Sequence, residues 1–124
     1  MKRLVIAATV FIVASVNAEE IVNYVEYSPS FASAGQPSEA QFQALASRGF
    51  ETVVYVAYTD HENSLTNADR LAHANGLKYI HIPVDWNNPT ATDYALVSAV
   101  LSQPDNGRTL LHCQLNYRAS AFAM

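Results

Sequence analysis

The stretch Phe50-Glu51-Thr52-Val53-Val54-Tyr55-Val56-Ala57-Tyr58 is β-branched and aromatic almost throughout. A strand with apolar residues at successive positions has no face to give to water, so it must be covered on both sides. That condition predicts a central strand in a largely parallel sheet with helices above and below. The rest of the chain supplies the alternating pieces. Ile21 to Tyr27 alternates between apolar and polar residues and ends at Ser28-Pro29, as an edge or half-buried strand does. Ser38 followed by Gln41 resembles a capping box, after which Phe42, Leu45 and Ala46 share a helical face up to Gly49. A second helix is expected from Asn63 to Asn75, where Leu65, Ala68, Leu71 and Ala72 align and Gly76 follows. Lys78 to Val84 reads as a strand and Asp85 to Thr90 as a loop. A third helix from about Thr92 carries Tyr94, Leu96, Val97, Val100 and Leu101, and Pro104 to Gly107 forms a turn before a last strand, Thr109 to His112. This alternation is that of an α/β fold, a three-layer sandwich around a mostly parallel sheet.

With 124 residues, half of them hydrophobic, the chain can build one modest core and not two ordinary ones. The formal charge of -4 and the scarcity of Lys and Arg leave no basic surface to neutralise a nucleic-acid backbone, so nucleic acid is not an expected partner. The same mild acidity repels anions at long range. An anion site must therefore be a local pocket of backbone amides and an Arg.

Met1-Lys2-Arg3, the apolar run Leu4 to Val16, and the small residues up to Ala18 have the three parts of a secretory signal peptide. The apolar run is shorter than the roughly 20 residues that span a bilayer, which weighs against an uncleaved anchor. The expectation is a signal peptide at 1–18, a domain at 19–124, an exported, periplasmic or secreted location, and no stable membrane insertion after cleavage. The chain ends at Met124, only a few residues past Arg118, so the last helix is barely a turn long and the domain reads as cut short at its C-terminus.

Cys113 is the only cysteine, so an internal disulfide is excluded. A free Cys is most often a small buried apolar side chain. The neighbours argue otherwise. In such sheets ligands sit beyond the carboxyl ends of strands, and Cys113 directly follows the strand ending at His112. Arg118 falls near the start of the next helix, and the backbone N–H groups of Gln114, Leu115, Asn116 and Tyr117 can turn inward between the two. This arrangement favours a thiolate and an oxyanion held by paired hydrogen bonds to the guanidinium. His112 is read either as orienting the loop or as a satisfied strand-end histidine. Tyr117 and Trp86 are placed to flank the site. His61, His73, His81 and His112 show no paired ligand spacing, so neither a metal nor another cofactor is expected.

His112-Cys113 followed closely by Arg118 at a strand-to-helix turn resembles the signature loop of protein tyrosine and dual-specificity phosphatases, HCxxGxxR and then Ser or Thr. Here four residues, not five, separate the Cys from the Arg, and Asn116 stands near the expected glycine. Asn is the least costly non-Gly residue if φ is positive there. The shorter spacing is similar to that of rhodanese-like loops and of the small phosphatase-like domains associated with β-lactamase-fold hydrolases. Ala32-Ser33-Ala34-Gly35-Gln36-Pro37-Ser38 looks like the SGQP-type segment near the start of the latter group's domains, and Gly49-Phe50 before a strand and Ile82-Pro83-Val84 also fit that resemblance. Ala119 occupies the place after Arg118 where a hydroxyl is usual, and Ser120 comes one position later.

The resemblance implies a phosphatase in which Cys113 attacks phosphorus, Arg118 and the loop amides hold the oxygens, and a loop acid protonates the leaving group. Asp85, just after the strand Lys78 to Val84, is the candidate acid, with a plain turn role beside Asn87 and Asn88 as its alternative. Asp93 is the poorer candidate because its position after Thr90 suits a helix start. Ser120 is placed to stabilise the leaving thiolate. Two other functions stay open at this level: a sulfurtransferase or persulfide carrier acting on a sulfur oxyanion, and a non-catalytic oxyanion-binding module.

Overall fold

The structure, a computed structural model, describes residues 7–8 and 20–124. Apart from Ala7 and Ala8, the expected signal peptide at 1–18 lies outside the described residues. Among the described residues no helix is long and apolar enough to cross a membrane.

Five strands form one sheet: β1 Val25–Ser28, β2 Phe31–Ala34, β3 Thr52–Tyr55, β4 Lys78–His81 and β5 Thr109–His112, in the order β1-β2-β5-β3-β4. Only β1 runs antiparallel to its neighbour; the other pairs are parallel. The helices are α1 Glu39–Ala44, α2 Ala68–Ala74, α3 Ala91–Leu101 and α4 Tyr117–Phe122. The expectation of a strand without a wet face holds for β3 and also for β5, each buried along its whole length.

Period-two alternation in these strands sorts the core into two layers. Val53 and Leu110 point to the side covered by Phe42 and Leu45 near α1 and by Ala68 and Ala72 of α2. Val54 and Leu111 point to the side covered by Val97 of α3 and Ala119 of α4. Each fully buried Val, Leu or Phe contributes about 1.5–3 kcal/mol from burial, so the two layers are what fixes β5 in the middle.

The caps explain where the helices begin. In α1 the Gln41 N–H donates to Ser38 Oγ at 3.2 Å while the Ser38 N–H donates to Gln41 Oε1 at 2.9 Å. In α3 the same reciprocal pair joins Thr90 and Asp93 at 3.1 and 2.9 Å, which commits Asp93 to the helix start. Gly49, at φ 86°, ends the 3-10 turn that follows α1.

Several boundaries differ from the sequence reading. The first strand starts at Val25, because Ile21 to Tyr24 closes a turn with Asn23 at φ 51° and Tyr24 N–H on Ile21 O at 3.1 Å. Strand β2 had no sequence signal, since Ala and Ser carry little β preference, and it exists by pairing with β1 and β5. Helix α2 starts at Ala68, not Asn63; upstream, the hydroxyls of Tyr55 and Ser64 both hold the Tyr58 carbonyl, at 2.6 and 3.0 Å. Strand β4 stops at His81, two residues before Pro83, which has no N–H to give a ladder.

Candidate active site

The central place of β5 sets up the site. His112, its last residue, lies in register between Ala34 of β2 and Tyr55 of β3. The chain then leaves the sheet at Cys113, whose N–H donates to Ala34 O at 3.3 Å, and enters α4 at Tyr117. Asn116 makes the turn into the helix at φ 72°, the left-handed conformation for which Asn is the least costly side-chain-bearing residue. Its Nδ2 donates to Asn23 O at 2.7 Å.

The loop is clamped from outside by the Gly-Gln-Pro segment. Gln36 N–H donates to Gln114 O at 2.9 Å, Gly35 forms a bridge with Leu115, and Asn23 Nδ2 donates to Leu115 O at 2.9 Å. A Cβ on Gly35 would stand 2.6 Å from Gln114 O and 3.1 Å from Leu115 Cα, both backbone atoms. Only glycine allows this approach.

Cys113, Gln114, Leu115, Tyr117 and Arg118 line a cavity of about 120 Å³ together with His61 and Asn63. Cys113 is 1% exposed and Tyr117 74% exposed, so the thiol lies at the floor and the tyrosine at the rim. The Arg118 guanidinium lies over the Trp86 ring at 5.5 Å and donates to Gln114 Oε1 at 3.4 Å. Trp86 is itself held by its indole N–H on Val56 O at 2.7 Å. Asp85 lines an adjoining recess that shares Gln114 and Arg118 with the cavity and also holds Asp60, Glu62 and Trp86. One Asp85 oxygen accepts from Asn87 N–H at 3.0 Å, so the turn role exists alongside the recess position.

Beneath the loop three rings stack across adjacent strands: His81 on Tyr55 at 5.2 Å and Tyr55 on His112 at 4.7 Å. His112 is fully buried, and burial is the main reason its pKa falls from 6.5 to about 4; the nearby His81 lowers it further, and the bond to Cys113 O opposes both. The carbonyl can only accept, so the 3.2 Å contact with Cys113 O places the proton on Nδ1. Nε2 is then an acceptor without a partner among the described residues.

The carboxyl ends of the strands therefore present one thiol and one guanidinium at a single small cavity, on a strand-loop-helix segment of short spacing. A profile described as DSP-PTPase phosphatase fused to NAD+ kinase matches residues 4–123, nearly the whole chain. The chain belongs to this phosphatase family. The expected resemblance to the protein tyrosine and dual-specificity phosphatases is borne out, as is the α/β sandwich.

Solved structures agree with the assignment. A candidate phosphatase of the DUF442 group from Shewanella putrefaciens CN-32 is 34% identical at a TM-score of 0.79, over 83% of this chain. The phosphatase-family chain spans 66% and 68% of the length of that protein in its two structures. The catalytic core of the S. cerevisiae PP-IP phosphatase Siw14, in complex with citrate, matches at a TM-score of 0.71 and 13% identity, over 82% of this chain and 63% of its own. P. aeruginosa TpbA in complex with phosphotyrosine gives 0.64 and 18%, over 82% and 60%. At such identities these two speak for the fold. Comparison with curated proteins gives no match.

Within this phosphatase domain the structure sorts the expected site residues. Cys113, Gln114, Leu115, Tyr117 and Arg118 reach the cavity, and Asp85 its neighbouring recess. The other three expected residues stand outside the lining of this cavity: His112 is buried below the loop, Asn116 is buried in the turn, and the Ser120 hydroxyl donates back to Tyr117 O at 3.2 Å. Sequence reasoning missed His61 and Asn63, which come from an irregular loop without periodicity. Tyr55, at the end of β3, lies outside the cavity lining and reaches the loop through Gln114 Nε2 at 2.5 Å. A larger open recess, about 420 Å³, lies at the amino ends of the strands around Phe31 and Thr109 and has no thiol or charged side chain in its walls.

Proposed function

We infer that the protein is a cysteine-dependent phosphomonoester hydrolase working through a phosphocysteine. The observation that carries this reading is that Cys113 and Arg118 share the walls of one cavity at the end of the central strand. The Cys113 thiolate attacks phosphorus, and the bond from phosphorus to the leaving oxygen breaks. Arg118, with N–H groups at the start of α4, bears the charge on the remaining oxygens. Asp85, as the acid, gives its proton to the leaving oxygen. As carboxylate it then takes a proton from the water that cleaves the sulfur–phosphorus bond, and phosphate leaves with the thiolate restored. The 34% identity to a DUF442 candidate phosphatase supports phosphorus over sulfur chemistry.

Hydrolysis of an aryl and an alkyl phosphate tests both roles. Cys113→Ser is expected to reduce turnover of both to background. Asp85→Asn should cost about 100-fold or more on the alkyl ester, whose leaving group needs the proton, and far less on p-nitrophenyl phosphate. Full hydrolysis by Cys113→Ser, or thiosulfate-to-cyanide transfer with no phosphatase activity in the wild type, contradicts the proposal.

A further inference from the structure

We propose that Tyr55 is a positioning residue that decides which end of the Gln114 carboxamide faces Arg118, and so holds the guanidinium at the oxyanion cavity. The inference rests on the reading of Arg118 as the oxyanion-holding group. Tyr55 itself does not line the cavity.

Proton count decides the orientation. The Tyr55 hydroxyl has one to donate. It lies 2.6 Å from Tyr58 O, which can only accept, and 2.5 Å from Ser64 Oγ. Ser64 Oγ in turn lies 3.0 Å from Tyr58 O. Whether Tyr55 donates to the carbonyl directly, or to Ser64 while Ser64 donates to the carbonyl, its proton is taken by the segment Tyr58 to Ser64. Toward Gln114 it can only accept. Gln114 Nε2 sits 2.5 Å away and is the donor that meets this demand.

An amide pinned by its nitrogen presents its oxygen at the opposite end. That end is 3.4 Å from the Arg118 Nη1, a guanidinium that has only donors to offer. Reversing the amide would set N–H against N–H on a charged group. Gln114 is 7% exposed and Tyr55 2%, so water has little room to mend the mismatch. Burial also raises the Tyr55 pKa above its ordinary value, which keeps the hydroxyl a proton donor to the loop across the neutral range. The stack of Tyr55 between His81 and His112 fixes where the hydroxyl stands.

The test uses the full chain, orthovanadate as the probe, and three variants: Tyr55→Phe, Gln114→Met and the double. If Tyr55 acts through Gln114, each single variant binds orthovanadate roughly tenfold more weakly, KM for an aryl phosphate rises with it, and the double variant is no worse than either. Ser64→Ala removes the long 3.4 Å contact from Gln114 Nε2 to Ser64 Oγ but leaves the 2.5 Å bond to Tyr55 and the Tyr55 proton on Tyr58 O, so its affinity should stay within about twofold. Unchanged affinity in Tyr55→Phe, additive losses in the double, or an equal loss in Ser64→Ala overturns the proposal. Should Tyr55→Phe not fold, undiminished affinity in Gln114→Met overturns it, and a tenfold loss there with Ser64→Ala intact supports it. A wild type that neither binds orthovanadate nor cleaves an aryl phosphate instead overturns the reading of the site itself.

Discussion

His112 sits directly before Cys113, yet burial forces it to stay neutral in the folded protein well below its ordinary titration range. Its contribution to stability has a definite sign. The unfolded chain takes up the proton near pH 6.5, the folded chain only near 4, so between these values the unfolded state binds more protons. Stability from this residue is complete above pH 6.5 and is lost as pH falls toward 4, by roughly 3 kcal/mol in all. Urea unfolding across that window should show the loss, and His112→Asn, which cannot titrate, should show a flatter profile; equal slopes in both proteins would contradict this assignment. The order of Cys113 and Arg118 was legible because spacing in sequence maps onto a loop of fixed length. The places of His61 and Tyr55 were not, because they lie 52 and 58 residues before Cys113 in sequence and meet the loop only through the fold.

Elements show the same division. Strand β3 was written in the sequence as part of a long β-branched and aromatic run, β5 as the short stretch before Cys113, and the caps of α1 and α3 as Ser38 with Gln41 and Thr90 with Asp93. Strand β2 was not, since Phe31-Ala32-Ser33-Ala34 gains its conformation from the neighbours on either side. Its extension, Gly35-Gln36, clamps the active loop, so the least legible strand leads into a contact the site depends on. Gly35→Ala puts a methyl group 2.6 Å from the Gln114 carbonyl, which cannot retreat without moving Cys113. The substitution is expected to cost about 1–3 kcal/mol in denaturant unfolding and to lower kcat/KM for an aryl phosphate by tenfold or more. Activity and stability both at wild-type level would show that the clamp yields freely.

At the scale of the whole molecule, one topological fact joins these parts. The chain lays β5 down last and inserts it between β2 and β3, and the loop after it opens at the carboxyl edge beside the loops that follow β3 and β4. The loop after β3 delivers His61 and Asn63, and the loop after β4 delivers Asp85 and Trp86. Alternating strands and helices made the α/β class readable from sequence, but strand order was not, because it depends on which faces match in three dimensions. The same convergence makes the central claim testable in one step. Acid-quenching the wild type during turnover of an aryl phosphate and measuring intact mass should reveal one added phosphoryl group, located on Cys113 and absent from Cys113→Ser. Turnover without any phosphoryl adduct on Cys113, or an adduct on another residue, would contradict the account.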